Sequence, residues 1–174
     1  LLKRGVYISY VHFHSFPTTS KQSIDNVKSI LSLLKNYQLQ CPLYIIPLLK
    51  IQQKIMKSVP NKYWIIFFRR AMVYLACRLG ENVGASALIT GENVGQVASQ
   101  TLTNIRAVAD ISSLPIIRPL AGMNKQDIIN KAKEINTYHI STEPYQDCCS
   151  YFVPIHPATK TKITTIHRLE SKFK

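Results

Sequence analysis

The sequence predicts an α/β fold, a parallel sheet flanked by helices, and three observations carry that prediction. Short β-branched and aromatic runs alternate with segments of helical periodicity. In Ala87-Leu-Ile-Thr-Gly-Glu-Asn-Val-Gly-Gln-Val-Ala-Ser-Gln-Thr101 an apolar strand runs into a glycine-bearing polar turn and then small residues, the geometry of a ligand site at the carboxyl edge of a parallel sheet. An apolar content of 46% over 174 residues is enough to bury a core.

The elements follow in order. Residues 6–13 read as a strand ending at the polar His14-Ser15. Ser20 is placed to cap a helix through residue 36, with Ile24, Val27, Ile30, Leu31 and Leu34 recurring on one face. Residues 43–49 read as a buried strand despite Pro47, and residues 61–79 as a helix. A third strand is expected over 86–90, a helix over 95–108 and a short strand over 114–117. Asn124 caps a helix over 125–135, and a polar helix covers 159–169. In a parallel sheet with right-handed crossovers, the carboxyl ends of the first and third strands share one edge. Function is expected there, at His12-Phe13-His14 and Thr90-Gly91-Glu92.

Composition narrows the classes. No apolar run reaches membrane-span length, because Arg69 and Arg70 stop the greasiest stretch, 63–68. The chain opens Leu-Leu-Lys-Arg without a secretory signal and reads as one that begins inside a longer protein. Lys and Arg number 22 against 9 Asp and Glu, and no acidic residue falls between Asp25 and Glu81. Such a one-signed field favours a polyanion such as nucleic acid, although a solvated helix face gives the same count. Cysteines 41, 77, 148 and 149 lack paired Cys-x-x-Cys spacing, which argues against structural zinc. A reduced, cytoplasmic compartment is the default.

Several constellations can carry chemistry. Gly91 permits close approach of a ligand, and helix-opening amides beyond Gly95 can bind an anion, with Ser99 and Gln100 one turn in. A plain strand-to-helix turn would look the same. His12 and His14 face one way on a strand, without a third metal ligand nearby; Phe13 can stack on a base or fill core. One of Arg69 and Arg70 can meet a phosphate while the other is solvated. Cys41 and Cys77 read as packed thiols. Asp147-Cys148-Cys149 lies in a polar, proline-flanked segment with little to pack against, so thiol chemistry or redox switching is expected there.

Gly91-Glu-Asn-Val-Gly-Gln-Val-Ala-Ser-Gln-Thr-Leu102, Val11-His-Phe-His-Ser-Phe-Pro17, Ile117-Arg-Pro-Leu120, Asp147-Cys-Cys-Ser-Tyr-Phe-Val-Pro154 and Pro157-Ala-Thr-Lys160 resemble the tRNA 4-thiouridine synthetases, or tRNA uracil 4-sulfurtransferases, over nearly the whole chain. The resemblance implies an adenine-nucleotide α-hydrolase-like fold of the pyrophosphatase-loop (PP-loop) kind. It implies that ATP, with Mg²⁺, adenylates the C4 oxygen of a tRNA uridine, and that persulfide sulfur from a cysteine desulfurase displaces AMP. A link to thiamine thiazole biosynthesis is implied as well. Carried over, the ATP contacts are His12, Phe13, Arg69, Gly91 and Gln100. Cys148 matches the reactive cysteine of members that use one, with Cys149 its neighbour and Asp147 orienting groups beside it.

Family members carry a Ser-Gly-Gly-x-Asp-Ser loop shortly before the Lys-Arg-Gly found here as Lys3-Arg4-Gly5. The chain is therefore expected to be a PP-loop domain over 1–174, truncated before that loop and its strand. The family's RNA-binding THUMP region and the rhodanese-like domain of some members are expected to be absent too. An exposed sheet edge would then favour a homodimer. Asn136 stands where glycine is expected. Two further readings stay open: a residual nucleotide- or tRNA-binding or persulfide-relay protein without catalysis, and an adenine-nucleotide binder without an RNA partner.

Overall fold

The computed structural model describes residues 1–145, 148, 152 and 154–171. Among the described residues, strands and α-helices follow in the order β1 (Tyr10–His14), α1 (Gln22–Leu34), β2 (Leu43–Pro47), α2 (Leu49–Ser58), α3 (Trp64–Asn82), β3 (Leu88–Ile89), α4 (Leu102–Ala109), β4 (Ile116–Ile117), α5 (Lys125–Glu134), α6 (Tyr138–Ser141) and α7 (Ile163–Glu170), with α2 and α6 beyond those the sequence suggests. Every strand pairing among the described residues is parallel, β1 with β2 and β3 with β4. No ladder among the described residues joins the first strand to the third. The expected shared edge is therefore replaced by two edges, each at the carboxyl end of its own pair.

The chain gathers into two compact units, one of Leu1–Leu49 with Asn124–Tyr151 and one of Lys50–Met123 with Phe152–Lys174. In the first, the β1–β2 register runs from Tyr10↔Leu43 to His14↔Pro47. Pro47 sits at the strand end, where its missing N–H matters least, and the Leu48 amide donates to the His14 carbonyl at 2.8 Å. Helix α1 packs on β1 and α6. It begins at Gln22 rather than after Ser20, and Lys21 at its cap makes no side-chain capping bond. At the end of α5 the Asn136 amide donates to Lys133 and the Thr137 amide to Ala132. That pairing closes a helix through one left-handed residue, and Asn136 supplies it at φ 59°. Asparagine tolerates this backbone better than other side chains, so it can stand in for the expected glycine.

The second unit holds the larger core. Four successive residues of α3, Ile65, Ile66, Phe67 and Phe68, are all buried, after which burial narrows to Arg70, Val73, Cys77 and Gly80 on one face. They meet Ile55 and Val59, Ala107 and Val108 of α4, and Ile166 and Leu169 of α7. Phe152 stacks edge-on against Phe68 with ring centroids 6.0 Å apart. Helix α2 is an element the sequence reading passed over. Its isoleucines follow the β2 run without a break, but Gln52 and Ile55 share its buried face at helical spacing.

Arg70 is not solvated. It is 2% exposed and forks onto Glu170, Nε to Oε1 at 2.6 Å and Nη2 to Oε2 at 2.9 Å. It also donates to the Ala107 carbonyl and reaches Asp110. Asp110 in turn meets His167 Nε2 at 2.7 Å. That hydrogen bond, with the charges of Arg70 and His167, holds the Asp110 carboxyl below its ordinary value although burial pulls the other way. A carboxyl depressed on folding stabilises the fold fully above about pH 4 and loses that contribution as pH falls through its folded pKa. His167→Ala is therefore expected to raise the Asp110 pKa and to cost stability at neutral pH, the difference closing below about pH 4. Carboxyl-carbon NMR titration with parallel melts checks both; an unmoved Asp110 titration would refute the assignment.

Candidate functional site

In the second unit the segments leaving β3 and β4 are stitched together. The Thr90 amide donates to the Ile117 carbonyl at 3.1 Å and the Val94 amide to Ala121 at 3.1 Å. Asn93 Nδ2 donates to the carbonyls of Leu120, at 3.0 Å, and Met123. The segments leaving two adjacent parallel strands thus lie side by side at the carboxyl ends, the usual ligand position of an open α/β sheet.

Glu92 is the hub of the polar groups at these strand ends. It is 7% exposed, with Arg69 on Oε1 and Arg118 Nε on Oε2 at 2.6 Å. Thr90 Oγ1 donates to Oε2 at 3.1 Å. Arg69 Nη1 also donates to the Ser99 carbonyl at 3.0 Å, and Arg118 Nη1 to Ile116 at 3.3 Å. Arg118 Nη2 is buried with no hydrogen-bond partner, as is Gln100 Oε1. One carboxylate between two guanidiniums leaves a net positive charge in a partly dehydrated place, and burial pulls the Arg118 pKa below its ordinary value. An anion entering here would restore a partner to the cation that folding has stripped of water.

The glycines divide their labour differently from expectation. Gly95 has φ 77° and its amide donates to the Gln100 carbonyl at 2.9 Å, so the loop closes through a left-handed residue. Gly91 has no such backbone demand. A Cβ there would meet only Leu120 Cδ1 at 3.9 Å, which leaves open surface beside Glu92. The helix expected from residue 95 begins later. Residues Ala98–Gln100 form a single 3-10 turn, and α4 starts at Leu102, where Thr101 accepts from the Asn104 amide. Ser99 and Gln100 therefore sit on the loop before the helix, and the start of α4 is already capped by protein.

In the first unit His12, Phe13 and His14 occupy β1, all half-buried. His12 Nε2 lies 3.3 Å from Ser23 Oγ on α1, and His14 Nδ1 accepts from the Phe16 amide at 3.2 Å. Cys148 is 6% exposed, so it is packed rather than left in a bare polar segment. Asp147 and Cys149 lie outside the described residues. Cys77 is buried as expected, with Sγ 3.1 Å from Ser112 Oγ. Burial alone would raise its pKa, but hydrogen bonds from Ser112, Leu114 and Ser113 outweigh it and lower it. Cys41 is only half-buried.

The structure sets Arg69 of α3 against the loop that carries Gly91 and Gln100 and adds Glu92, Arg118 and Thr90, which the sequence reading quoted without giving them a role. The signal was present in Ile117-Arg-Pro. A largely buried cation next after a strand needs an anion beside it, and Glu92 lies three residues beyond the neighbouring strand.

Parallel strand pairs flanked by helices make this an α/β protein, with an Arg69–Glu92–Arg118 cluster at the carboxyl ends of β3 and β4. The family model described as Thiamine biosynthesis protein (ThiI) matches residues 1–174, and the chain belongs to that family. It is 45% identical over 173 residues to the probable tRNA sulfurtransferase of Thermotoga maritima, covering 98% of this chain and 45% of the relative. It is 41% identical to the probable tRNA sulfurtransferase of Halothermothrix orenii, covering 99% and 44% respectively. A solved structure described as a 4-thiouridine synthetase–RNA complex with bound ATP superposes with a TM-score of 0.91 at 45% identity, over 98% of this chain and 45% of that one. The chain spans less than half the length of the relatives it matches. Among the described residues no helix is long and apolar enough to cross a membrane.

Proposed function

We propose that this chain supplies the nucleotide-binding and sulfur-handling part of a tRNA sulfurtransferase that makes 4-thiouridine. The observation that carries the reading is the Arg69–Glu92–Arg118 cluster with its unpartnered Arg118 Nη2, a buried guanidinium edge suited to phosphate. ATP fits this donor set: Arg69 and Arg118 take phosphate charge, Gly91 leaves room, and Gln100 Oε1 is an acceptor for an amino group. His12 and Phe13 are kept as nucleotide contacts on the resemblance alone. In this reading the uracil C4 oxygen would take AMP from ATP with release of pyrophosphate, and persulfide sulfur would then displace that AMP from C4.

The described residues offer Mg²⁺ no carboxylate set. Glu92 is engaged by two arginines, and no group of three His, Cys, Asp or Glu residues suited to a metal occurs among them. Mg²⁺ is therefore assigned no protein ligand here. Cys148, with Asp147 and Cys149 beside it in sequence, is the proposed thiol that receives persulfide sulfur from a cysteine desulfurase. Because Cys148 is buried, its thiol must become exposed before the donor can reach it. The basic surface is assigned to tRNA, and pairing of two copies remains a subsidiary part of the reading.

Calorimetric titration of ATP–Mg²⁺ into the chain tests the first half. Binding that Arg118→Ala weakens about tenfold, the worth of one charge-assisted contact, supports it; no binding, or binding indifferent to that change, refutes it. Desulfurase-driven labelling of Cys148, abolished in Cys148→Ala, tests the second half.

A further inference from the structure

A pocket of about 320 Å³ opens between α4 and the first turn of α7, lined by Thr103, Arg106, Thr161, Lys162, Ile163 and Thr164. The Arg69–Glu92–Arg118 cluster uses none of these residues. Its charges are the Arg106 guanidinium and the Lys162 ammonium, and no acidic side chain lines it.

Lys162 is an unusual choice where it stands. It is the N-cap of α7 and makes no side-chain capping bond, since an ammonium has no acceptor to offer. It also sets a positive charge at the positive end of the helix dipole, an unfavourable pairing unless an anion shares the place. Thr161, the residue before it, is 4% exposed, and its Oγ1 has no hydrogen-bond partner. A buried hydroxyl left unpaired is costly, so this second observation points to a missing acceptor independently of the helix end.

The wall that holds these groups is built. Asn104, fully buried on α4, accepts from the Thr161 amide at 3.2 Å and donates to the Ala158 carbonyl at 2.7 Å. Thr101 and Thr103 hydroxyls both donate to the Thr159 carbonyl, at 2.7 and 3.3 Å. The Pro157-Ala-Thr-Lys160 motif is thereby bolted to α4 and delivers Thr161 and Lys162 to the pocket.

We propose that this pocket is a second anion site, which takes one phosphate group. Arg106 and Lys162 supply the charge, the Thr161 hydroxyl donates, and the Ile163 and Thr164 amides close the helix end on the anion. A backbone phosphodiester of RNA and free orthophosphate present the same oxygens to these donors. The proposal does not depend on nucleotide binding at Glu92.

Amide NMR of the labelled chain, titrated first with inorganic phosphate and then with a tRNA transcript, decides it. Saturable shifts at Thr161, Ile163 and Thr164 are expected, with orthophosphate affinity falling about fivefold in Lys162→Ala and in Thr161→Val. If the ligand is RNA, Arg106→Ala and Lys162→Ala should each weaken tRNA binding and reduce the slope of log K against log salt by about 1. Lys54→Ala, on α2, sets what the loss of any one cation does. Phosphate shifts with tRNA binding no more affected than in Lys54→Ala assign the site to free phosphate. Absence of shifts with both probes, or equal shifts in the pocket variants, overturns the proposal. Arg106 and Lys162 are exposed, so their variants decide the matter even if Thr161→Val folds poorly.

Discussion

Arg70→Met is expected to lower the stability of the chain by about 3 kcal/mol, the low end of what breaking a buried ion pair costs. The low end applies because the partners are only partly buried: Glu170 and Asp110 side chains are 30% and 25% exposed and regain water when the cation leaves. The Ala107 carbonyl has less recourse, since its residue is fully buried. Three elements lose their common tie at once, because Arg70 on α3 joins the end of α4 to the end of α7. Trp64 lies on α3 and is the chain's one tryptophan, so its fluorescence in urea reads this unit directly. Arg70→Lys keeps the charge but not the fork, and should fall between the parent and Arg70→Met. A loss below about 1 kcal/mol in Arg70→Met would mean that the fork is an ordinary surface pair.

The pair Arg69-Arg70 also shows where sequence reading reached its limit. Helical spacing placed both arginines on the element that became α3, and the resemblance selected Arg69 for the ligand. Spacing could not reveal that Arg70 has partners 40 and 100 residues away, because an ion pair is a tertiary fact. The same limit explains β3 and β4. Their residues were legible as strands, but the one ladder they share is two residues long, and the ends are fixed by Asn93 and by backbone bonds that no periodicity encodes. The Asn124 cap was legible because it is local: its side chain accepts from the Asp127 amide three residues on. The start of α4 was misplaced because Gly95 and small residues resemble a helix entrance, whereas the left-handed turn at Gly95 closes a loop first. Cys148 was read as under-packed for a similar reason. Its neighbours in sequence are polar, and what buries it is not in that segment's pattern.

Glu92→Gln is expected to split two properties that usually move together. Removing the carboxylate leaves Arg69 and Arg118, whose side chains are 15% and 18% exposed, facing each other across a neutral amide. Two poorly hydrated cations without their anion should cost about 2 to 3 kcal/mol of stability, read from the same tryptophan melt. The substitution also removes the internal competitor for both guanidiniums and the negative charge that an incoming phosphate would face. ATP or pyrophosphate, measured by calorimetry, should therefore bind roughly tenfold more tightly, about the worth of one interaction of 1.4 kcal/mol. Lower stability with tighter anion binding is the signature of a site held under electrostatic tension for its ligand. If stability falls and anion affinity falls with it, Glu92 is a ligand-side residue that positions the nucleotide. If neither changes, the cluster is a surface pairing, and the proposed nucleotide site loses its main support.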